Sequence, residues 1–270
     1  MARFFEPHDG QPGLAVFLNA GDPPLDVMRE LVLHLDECRV DCLEVAVPFP
    51  NSASDGPVIR ESAARALERG VDRDAVLAFV EDVRPELQHL KIALLADWSH
   101  SIKRTPLPEF LAMVKGTGAD GLLVHGLPPR LREQYYEAAA AAGQPIVTTC
   151  YASSEPPVLA EAAEHAGAYV YLVAHYGRSG TVGPPDHSAL VPVIGELRAR
   201  TDAPIAVGFG VKRRTDIEAL GAVGADGAIV GSACVKRVAD AQAAGRDVVE
   251  DFHGLLVELG QAPRPTEARQ

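Results

Sequence analysis

The amino-acid sequence predicts an α/β fold, a closed parallel (β/α)8 barrel (TIM barrel) formed by a single domain over residues 1–270. Eight short apolar runs alternate with amphipathic segments, and no long antiparallel run interrupts them. The hydrophobic periodicity is even along the chain, and no Pro/Gly/Ser-rich linker divides it. The alternative is an open doubly wound sheet, but the turn after the first run reads AGDPP and lacks the usual dinucleotide-binding glycine fingerprint.

The eight runs have the length and the β-branched content of strands rather than of buried helical turns. In chain order they are LAVFLN (14–19), DCLEV (41–45), KIALLA (91–96), DGLLVH (120–125), PIVTT (145–149), AYVYLV (168–173), PIAVG (204–208) and GAIV (227–230). Amphipathic patterns predict helices near 24–37, 58–69, 73–85, 108–116, 130–142, 156–166, 189–199, 214–222, 233–242 and 247–260. Each strand is thus followed by at least one helix.

The composition is that of an ordinary globular protein, 47% hydrophobic and 23% charged. Its formal net charge of −12 argues against nucleic acid or an anionic membrane as a partner, because both attract basic surfaces. The N-terminal stretch MARFFEPHDG is unlike a signal peptide, and no apolar segment is long enough to span a bilayer. The four cysteines and nine histidines are dispersed, which predicts reduced thiols, no metal site and a cytoplasmic location.

Two carboxylates are predicted at the mouth of the barrel, where strand ends and the loops after them carry the chemistry. Glu44 stands among Leu43, Val45 and Val47 on the second strand, and Asp55 lies in the polar loop that follows. Apolar neighbours should raise the pKa of Glu44 towards neutrality, which makes Glu44 a candidate acid and base, while Asp55 stays ionised. The structural alternatives are a strand-end charge that reaches solvent, for Glu44, and an Asx turn or helix cap, for Asp55.

Glycines after the last three predicted strands indicate an anion site. Gly180 follows the sixth strand, Gly210 the seventh, and Gly231 with Ser232 the eighth. Glycine lets backbone N–H groups approach an anion, and a helix N-terminus adds a partial positive charge, so these positions suit a phosphate group. The alternative is that the glycines only form tight turns. A phosphate held by neutral groups also fits an acidic chain.

Taken in order, five stretches of the chain resemble the tryptophan synthase alpha subunit family. They are AGDP (20–23), LEVAVPFPNSASDGPVIRES (43–62), YGRSG (176–180), GFGV (208–211) and GADGAIVGSACVK (224–236). The resemblance implies a TIM barrel of the ribulose-phosphate-binding type and a lyase of tryptophan biosynthesis that has no cofactor of its own. Its substrate would be a small phosphorylated aromatic molecule, indole-3-glycerol phosphate, which a retro-aldol reaction cleaves to indole and glyceraldehyde 3-phosphate.

The same resemblance implies roles for individual residues. Glu44 matches the catalytic glutamate of the family, Asp55 the aspartate that holds the indole N–H, and Tyr171 a tyrosine of the active-site wall. The phosphate-loop positions of the family fall on Ser179 (a threonine in most members), Gly180, Gly210, Gly231 and Ser232. The remaining predicted residues of the substrate pocket are Phe17, Leu95, Asp97 and Phe209.

Three departures from the family pattern occur near the ring end of the predicted substrate. Asp97-Trp98-Ser99 replaces a Tyr-x-Asn element, His125 stands where the family has an aspartate, and PFPNS (48–52) replaces PFSDP. In the family, the segments after strands 3 and 4 adjoin the docking face of a PLP-dependent beta subunit. The departures argue against coupling to that partner and favour a stand-alone lyase or a specialised relative with a different aromatic ring. Two other interpretations are a different phosphosugar enzyme on the same barrel and a non-catalytic, ligand-binding partner of a beta subunit.

Overall fold

The computed structural model describes residues 4–5, 11–174, 187–208 and 210–262. Its parallel strands are β1 (Gly13–Asn19), β2 (Cys42–Ala46), β3 (Lys91–Asp97), β4 (Gly121–His125), β5 (Val147–Tyr151), β6 (Tyr169–Val173), β7 (Ile205–Gly208) and β8 (Gly227–Val230). They hydrogen-bond in the order β4-β3-β2-β1-β8-β7-β6-β5, and a parallel bridge between Leu122 and Ile146 links β4 to β5. The predicted TIM barrel is confirmed, and the open doubly wound sheet is excluded.

Helices surround the barrel and cover the outward-facing side chains of its strands. They are α1 (Leu25–Glu37), α2 (Pro57–Glu68), α3 (Arg73–Val83), α4 (Leu107–Gly116), α5 (Arg132–Ala142), α6 (Pro156–His165), α7 (Val191–Arg198), α8 (Arg214–Ala222), α9 (Ser232–Ala243) and α10 (Val248–Leu259). On β1, Leu14, Val16 and Leu18 belong to this outer core and are almost completely buried. Burial on both faces explains why the strands read as apolar runs rather than as alternating patterns.

Small inward-facing residues leave space inside the barrel, and aromatic rings fill it. The small residues are Ala15, Cys42, Ala93 and Ala206. Phe4 and Phe5, near the chain start, pack with Tyr169 of β6, and each of their ring centroids lies 5.3 Å from that of Tyr169. A Cβ atom at Gly227 would lie 2.7 Å from the ring of Phe5, so the absence of a side chain there admits the ring. Phe4 and Phe5 are thus part of the interior of the barrel.

The largest differences between the predicted elements and the structure are the displacement of the fifth strand and one added turn. The run predicted at 145–149 forms β5 two residues later, because Pro145 has no N–H group to donate and Ile146 makes only an isolated bridge. Directly after β3, Trp98–Ile102 form a π-helical turn that the sequence does not predict. Asp97 caps this turn, since its Oδ1 accepts a hydrogen bond from the His100 N–H at 2.9 Å.

All four cysteines lie within the described ranges, and their thiols are free, as their spacing predicts. Burial raises the pKa of Cys42, Cys150 and Cys234, which keeps these three thiols protonated. Among the described residues, no helix has both the length and the apolar character that crossing a membrane requires.

Candidate active site

A cavity of about 180 Å³ opens at the C-terminal ends of the strands, where barrel enzymes carry their functional groups. Its wall contains the predicted site residues Phe17, Glu44, Asp55, Leu95, Asp97, Tyr171, Gly210, Gly231 and Ser232. The other three predicted residues, Ser179, Gly180 and Phe209, lie outside the described residues. The structure therefore brings together residues that are spread over most of the chain.

Glu44 projects from β2 into this cavity and is 1% exposed, so it is not a strand-end charge that reaches solvent. Burial raises its pKa from an ordinary value of 4.5 to about 7, against the opposing effect of a hydrogen bond from Tyr169. The Tyr169 hydroxyl donates to Glu44 Oε1 at 2.5 Å. Near neutral pH both the protonated and the ionised form of Glu44 are populated, which suits a group that gives and takes a proton.

Asp55 reaches the same cavity from the loop between β2 and α2, which we call the β2–α2 loop. Gly56 is the N-cap of α2, so Asp55 precedes the helix cap and does not form it. Asn19 at the end of β1 holds the first turns of this helix, because its Nδ2 donates to Ile59 O at 3.2 Å and to Ser62 Oγ at 3.1 Å. The start of α2 is thereby fixed relative to the barrel.

The pKa of the Tyr171 hydroxyl is affected by both carboxylates. Burial raises the pKa of its hydroxyl, and the charges of Glu44 and Asp55 raise it further, so the group stays protonated. The ring lies against Gly208 at the end of β7, where an added Cβ atom would overlap the Tyr171 ring. Any side chain at position 208 would therefore displace the ring. Tyr171 occupies a defined position close to the two candidate catalytic groups.

The β7–β8 side of the cavity offers backbone N–H groups. Gly210 has a φ of +82°, a conformation that glycine adopts without strain. Gly231 is the N-cap of α9 and Ser232 its first residue, so a 12-residue helix begins at the cavity wall. The unpaired N–H groups of a helix N-terminus and its partial positive charge attract anions. This part of the wall can hold a phosphate group without a cationic side chain.

Two of the residues that depart from the family pattern, Asp97 and His125, line the cavity near the β2–α2 loop. Asp97 Oδ1 is 2.6 Å from His100 Nδ1. The ring of Phe49 stacks on those of His100 and His125, with centroid distances of 5.3 and 6.1 Å. His125 Nε2 lies 3.4 Å from Ser54 Oγ. These contacts hold the loop against the ends of β3 and β4.

Several residues of the site are not among the predicted site residues. Tyr169 stands two positions before Tyr171 on β6, so strand alternation could have placed it inside the barrel. Asn19 ends β1, a position from which a polar side chain can reach the mouth. His100 and Phe49 come together only through the π-helical turn and the course of the β2–α2 loop, neither of which has a sequence signal.

The groups at this mouth can transfer a proton beside a bound anion, which is the task of barrel enzymes that act on phosphorylated small molecules. The family model "Tryptophan synthase alpha chain" matches residues 6–262. The chain belongs to the tryptophan synthase alpha chain family and is accordingly an enzyme of the carbon–carbon lyase class. The family and the class predicted from the sequence are both confirmed.

Curated relatives and solved structures agree with this assignment. The tryptophan synthase alpha chain of Synechococcus elongatus is 34% identical over 253 residues, which cover 94% of this chain and 92% of that protein. The Synechocystis sp. protein is 36% identical over 231 residues, 86% of each chain. An alpha subunit from Pyrococcus furiosus superposes with a TM-score of 0.81 at 29% identity, covering 94% of this chain and 98% of the other. That structure is described as the basis of mutual activation of a tryptophan synthase α2β2 complex.

Proposed function

We propose that this chain cleaves indole-3-glycerol phosphate to indole and glyceraldehyde 3-phosphate by a retro-aldol reaction. The observation that carries the proposal is the pKa of about 7 of Glu44 in a cavity whose wall also contains Asp55 and the start of α9. The reaction needs a carboxyl group with a pKa near neutrality at the ring end of this substrate and an anion site at its phosphate end. Membership of the tryptophan synthase alpha chain family supports the same reaction.

The proposed reaction moves one proton from the substrate hydroxyl to the indole ring. Protonated Glu44 first donates to the ring carbon that bears the glycerol chain, and positive charge develops at the ring nitrogen. The resulting Glu44 carboxylate then removes the proton of the adjacent hydroxyl group. The carbon–carbon bond breaks, its electron pair returns to the ring, and the hydroxyl carbon becomes the aldehyde. Glu44 ends protonated, as it began.

The other groups in the cavity support these steps. Asp55 accepts a hydrogen bond from the ring N–H and stabilises the charge that develops there. Gly210, Gly231 and Ser232 bind the phosphate, together with Ser179 and Gly180, and this remote binding positions the bond to be broken. Tyr171, held against Gly208, forms part of the wall around the ring.

The pH dependence of the reaction should report the contact between Tyr169 and Glu44. Tyr169→Phe removes the hydroxyl that stabilises the Glu44 carboxylate and keeps the ring that packs on Phe4 and Phe5. A hydrogen bond to a charged group contributes about 1.5–3 kcal/mol, so the pKa of Glu44 should rise by about one to two units. In a profile of kcat/KM against pH, the alkaline limb should move to higher pH by that amount.

The control for this profile is Tyr136→Phe. Tyr136 on α5 also donates its hydroxyl to a carboxylate, that of Glu161, but it lies outside the cavity. The alkaline limb of the Tyr136→Phe profile should coincide with that of the unaltered enzyme. A Tyr169→Phe profile with an unmoved alkaline limb would mean that Glu44 is not the group that titrates.

The proposed reaction is tested by incubating the protein with indole-3-glycerol phosphate and measuring free indole. Indole formation that stops when inorganic phosphate saturates the anion site is the expected result. If the protein binds inorganic phosphate but leaves this substrate intact, the chain catalyses another phosphosugar reaction or binds a ligand without turnover. If plain indole-3-glycerol phosphate is inert but a ring-substituted analogue is cleaved, the natural substrate has a different aromatic ring.

We further infer that indole formation by this chain does not require a beta subunit. The support is the stacking of Phe49 on His100 and His125, which holds the β2–α2 loop through contacts within one chain. A beta subunit from a relative is added to the assay above as a second arm. We expect the rate of indole release to stay the same, and a large increase would contradict the inference.

A further inference from the structure

A cluster of two imidazoles and one thiol lies between α1 and α10, outside the cavity. His34 and Cys38 stand one helical turn apart at the end of α1, and His253 belongs to α10. His34 Nε2 is 3.0 Å from His253 Nδ1, and Cys38 Sγ is 3.4 Å from His34 Nε2 and 3.9 Å from His253 Nδ1. All three residues are partly buried. Three potential ligand atoms therefore converge on one point.

The separations of these atoms fit a tetrahedral zinc ion. Bonds of about 2.1 Å to nitrogen and about 2.3 Å to sulfur, at tetrahedral angles, place two nitrogens about 3.4 Å apart and a nitrogen and a sulfur about 3.6 Å apart. The observed nitrogen–sulfur distances of 3.4 and 3.9 Å lie on either side of the second value, and the nitrogen–nitrogen distance of 3.0 Å is shorter than the first by about 0.4 Å. Small rotations of the side chains would complete the geometry, with no movement of either helix.

A carboxylate lies beside one of the imidazoles. Glu37 Oε2 lies 3.7 Å from His34 Nδ1, so the other ring nitrogen of His34 is the one that faces Cys38 and His253. Metal-bound histidines commonly donate their second N–H group to a carboxylate, which fixes the ring and makes it a better ligand. The residues around the cluster thus have the arrangement of a metal site with an outer carboxylate.

We propose that His34, Cys38 and His253 form a zinc site that fastens α10 to α1. The site joins residues more than two hundred positions apart, and a link of this kind restricts the unfolded chain strongly. Partial exposure of the three residues leaves the fourth coordination position to water. Gln261, just after α10, donates to the Arg39 carbonyl at 2.8 Å and strengthens the same junction.

The site lies at the end of the barrel opposite the cavity, since α1 runs antiparallel to β1 and Cys38 follows its last turn. Residues at that end of a barrel contribute to stability rather than to catalysis. Zinc bound there would link α1 to α10 at a distance from the cavity, and its loss should leave the catalytic groups in place.

The test uses the full chain, treated with a chelator and then titrated with Zn²⁺ in a calorimeter. We expect one ion per chain and a rise in Tm of about 5 °C when zinc exceeds its Kd about a hundredfold. Cys38→Ser and His253→Gln should each weaken binding by at least about 100-fold, and Glu37→Gln by about 10–100-fold. His89→Gln, an exposed histidine outside the cluster, is the matched control and should bind as tightly as the unaltered chain.

Cobalt supplies a spectroscopic readout of the site in the unaltered chain. Co²⁺ bound to the unaltered chain should show the intense visible bands of four-coordinate cobalt and a thiolate-to-metal charge-transfer band. The charge-transfer band should be absent from Cys38→Ser. If Co²⁺ gives no such band, or if Zn²⁺ binds equally well to Cys38→Ser, His253→Gln and the control, the cluster is only a hydrogen-bonded pair of histidines beside a thiol.

Discussion

Glu44→Gln is expected to lower the rate of indole formation by about 10²–10⁴-fold, the range that general acid–base catalysis contributes. Glutamine keeps the size of the side chain and can still accept the hydrogen bond from Tyr169, but it cannot exchange a proton with the substrate. Single-turnover measurements with indole-3-glycerol phosphate would give the rate of the chemical step directly. KM should change little, because the phosphate is bound elsewhere in the cavity.

The control for this substitution is Glu61→Gln, the same chemical change on the exposed face of α2. Its rate should equal that of the unaltered enzyme. A Glu44→Gln enzyme with normal turnover would remove Glu44 from the mechanism.

The stability of the same variant provides an independent check on the pKa of Glu44. Because folding raises this pKa from 4.5 to about 7, the folded state binds the proton more tightly than the unfolded state. The resulting stabilisation is complete below pH 4.5 and is lost as the pH rises through about 7. It amounts to about 3 kcal/mol. Glu44→Gln has no such titration. The difference in free energy of unfolding between Glu44→Gln and the unaltered protein, measured with urea, should therefore shift in favour of the variant by up to this amount as the pH is raised from acidic to mildly alkaline.

Asp55→Asn is expected to lower kcat by about 10²–10³-fold, the usual effect of removing one group that stabilises charge in a transition state. The amide keeps the shape of the side chain but carries no negative charge to oppose the positive charge on the ring nitrogen. KM should rise only slightly, since the phosphate still anchors the substrate. Steady-state kinetics with indole-3-glycerol phosphate would separate the two parameters.

A ring without an N–H group tests the assigned contact directly. Asp55→Asn should weaken the binding of indole but leave that of benzofuran unchanged, because oxygen replaces the N–H group in benzofuran. Asp202→Asn, an exposed carboxylate before β7 at the other end of the barrel, should affect neither ligand. Equal weakening of both ligands by Asp55→Asn would show that this residue acts on packing and not on the ring nitrogen.

Much of the barrel could be predicted because its elements have local signals. The last strand, 227–230, and the helix at 214–222 have the same limits in the structure as in the prediction, since β-branched runs and amphipathic repeats are properties of short windows. The fifth strand is displaced because Pro145 cannot take part in a ladder. The π-helical turn after β3 has no repeating pattern in the sequence.

The residues of the candidate site, too, could be predicted only in part from the sequence. Glu44, Asp55, Gly210 and Gly231 could be assigned to one mouth because the barrel places every strand end on the same side. Contacts between distant segments could not be assigned, and they include the hydrogen bond from Tyr169 and the stacking of Phe49. Ser179, Gly180 and Phe209 stay predictions.

The packing of Phe4 and Phe5 against Tyr169 connects the start of the chain to the proposed proton transfer by Glu44. The two rings pack on the phenol that donates to Glu44, and we expect a change in their size to shift the pKa of that carboxyl group by moving the Tyr169 hydroxyl. A residue with no polar atom in its side chain can thus adjust the working pH of this enzyme. Selection for a tighter interior and selection for a particular pH optimum act on the same few side chains.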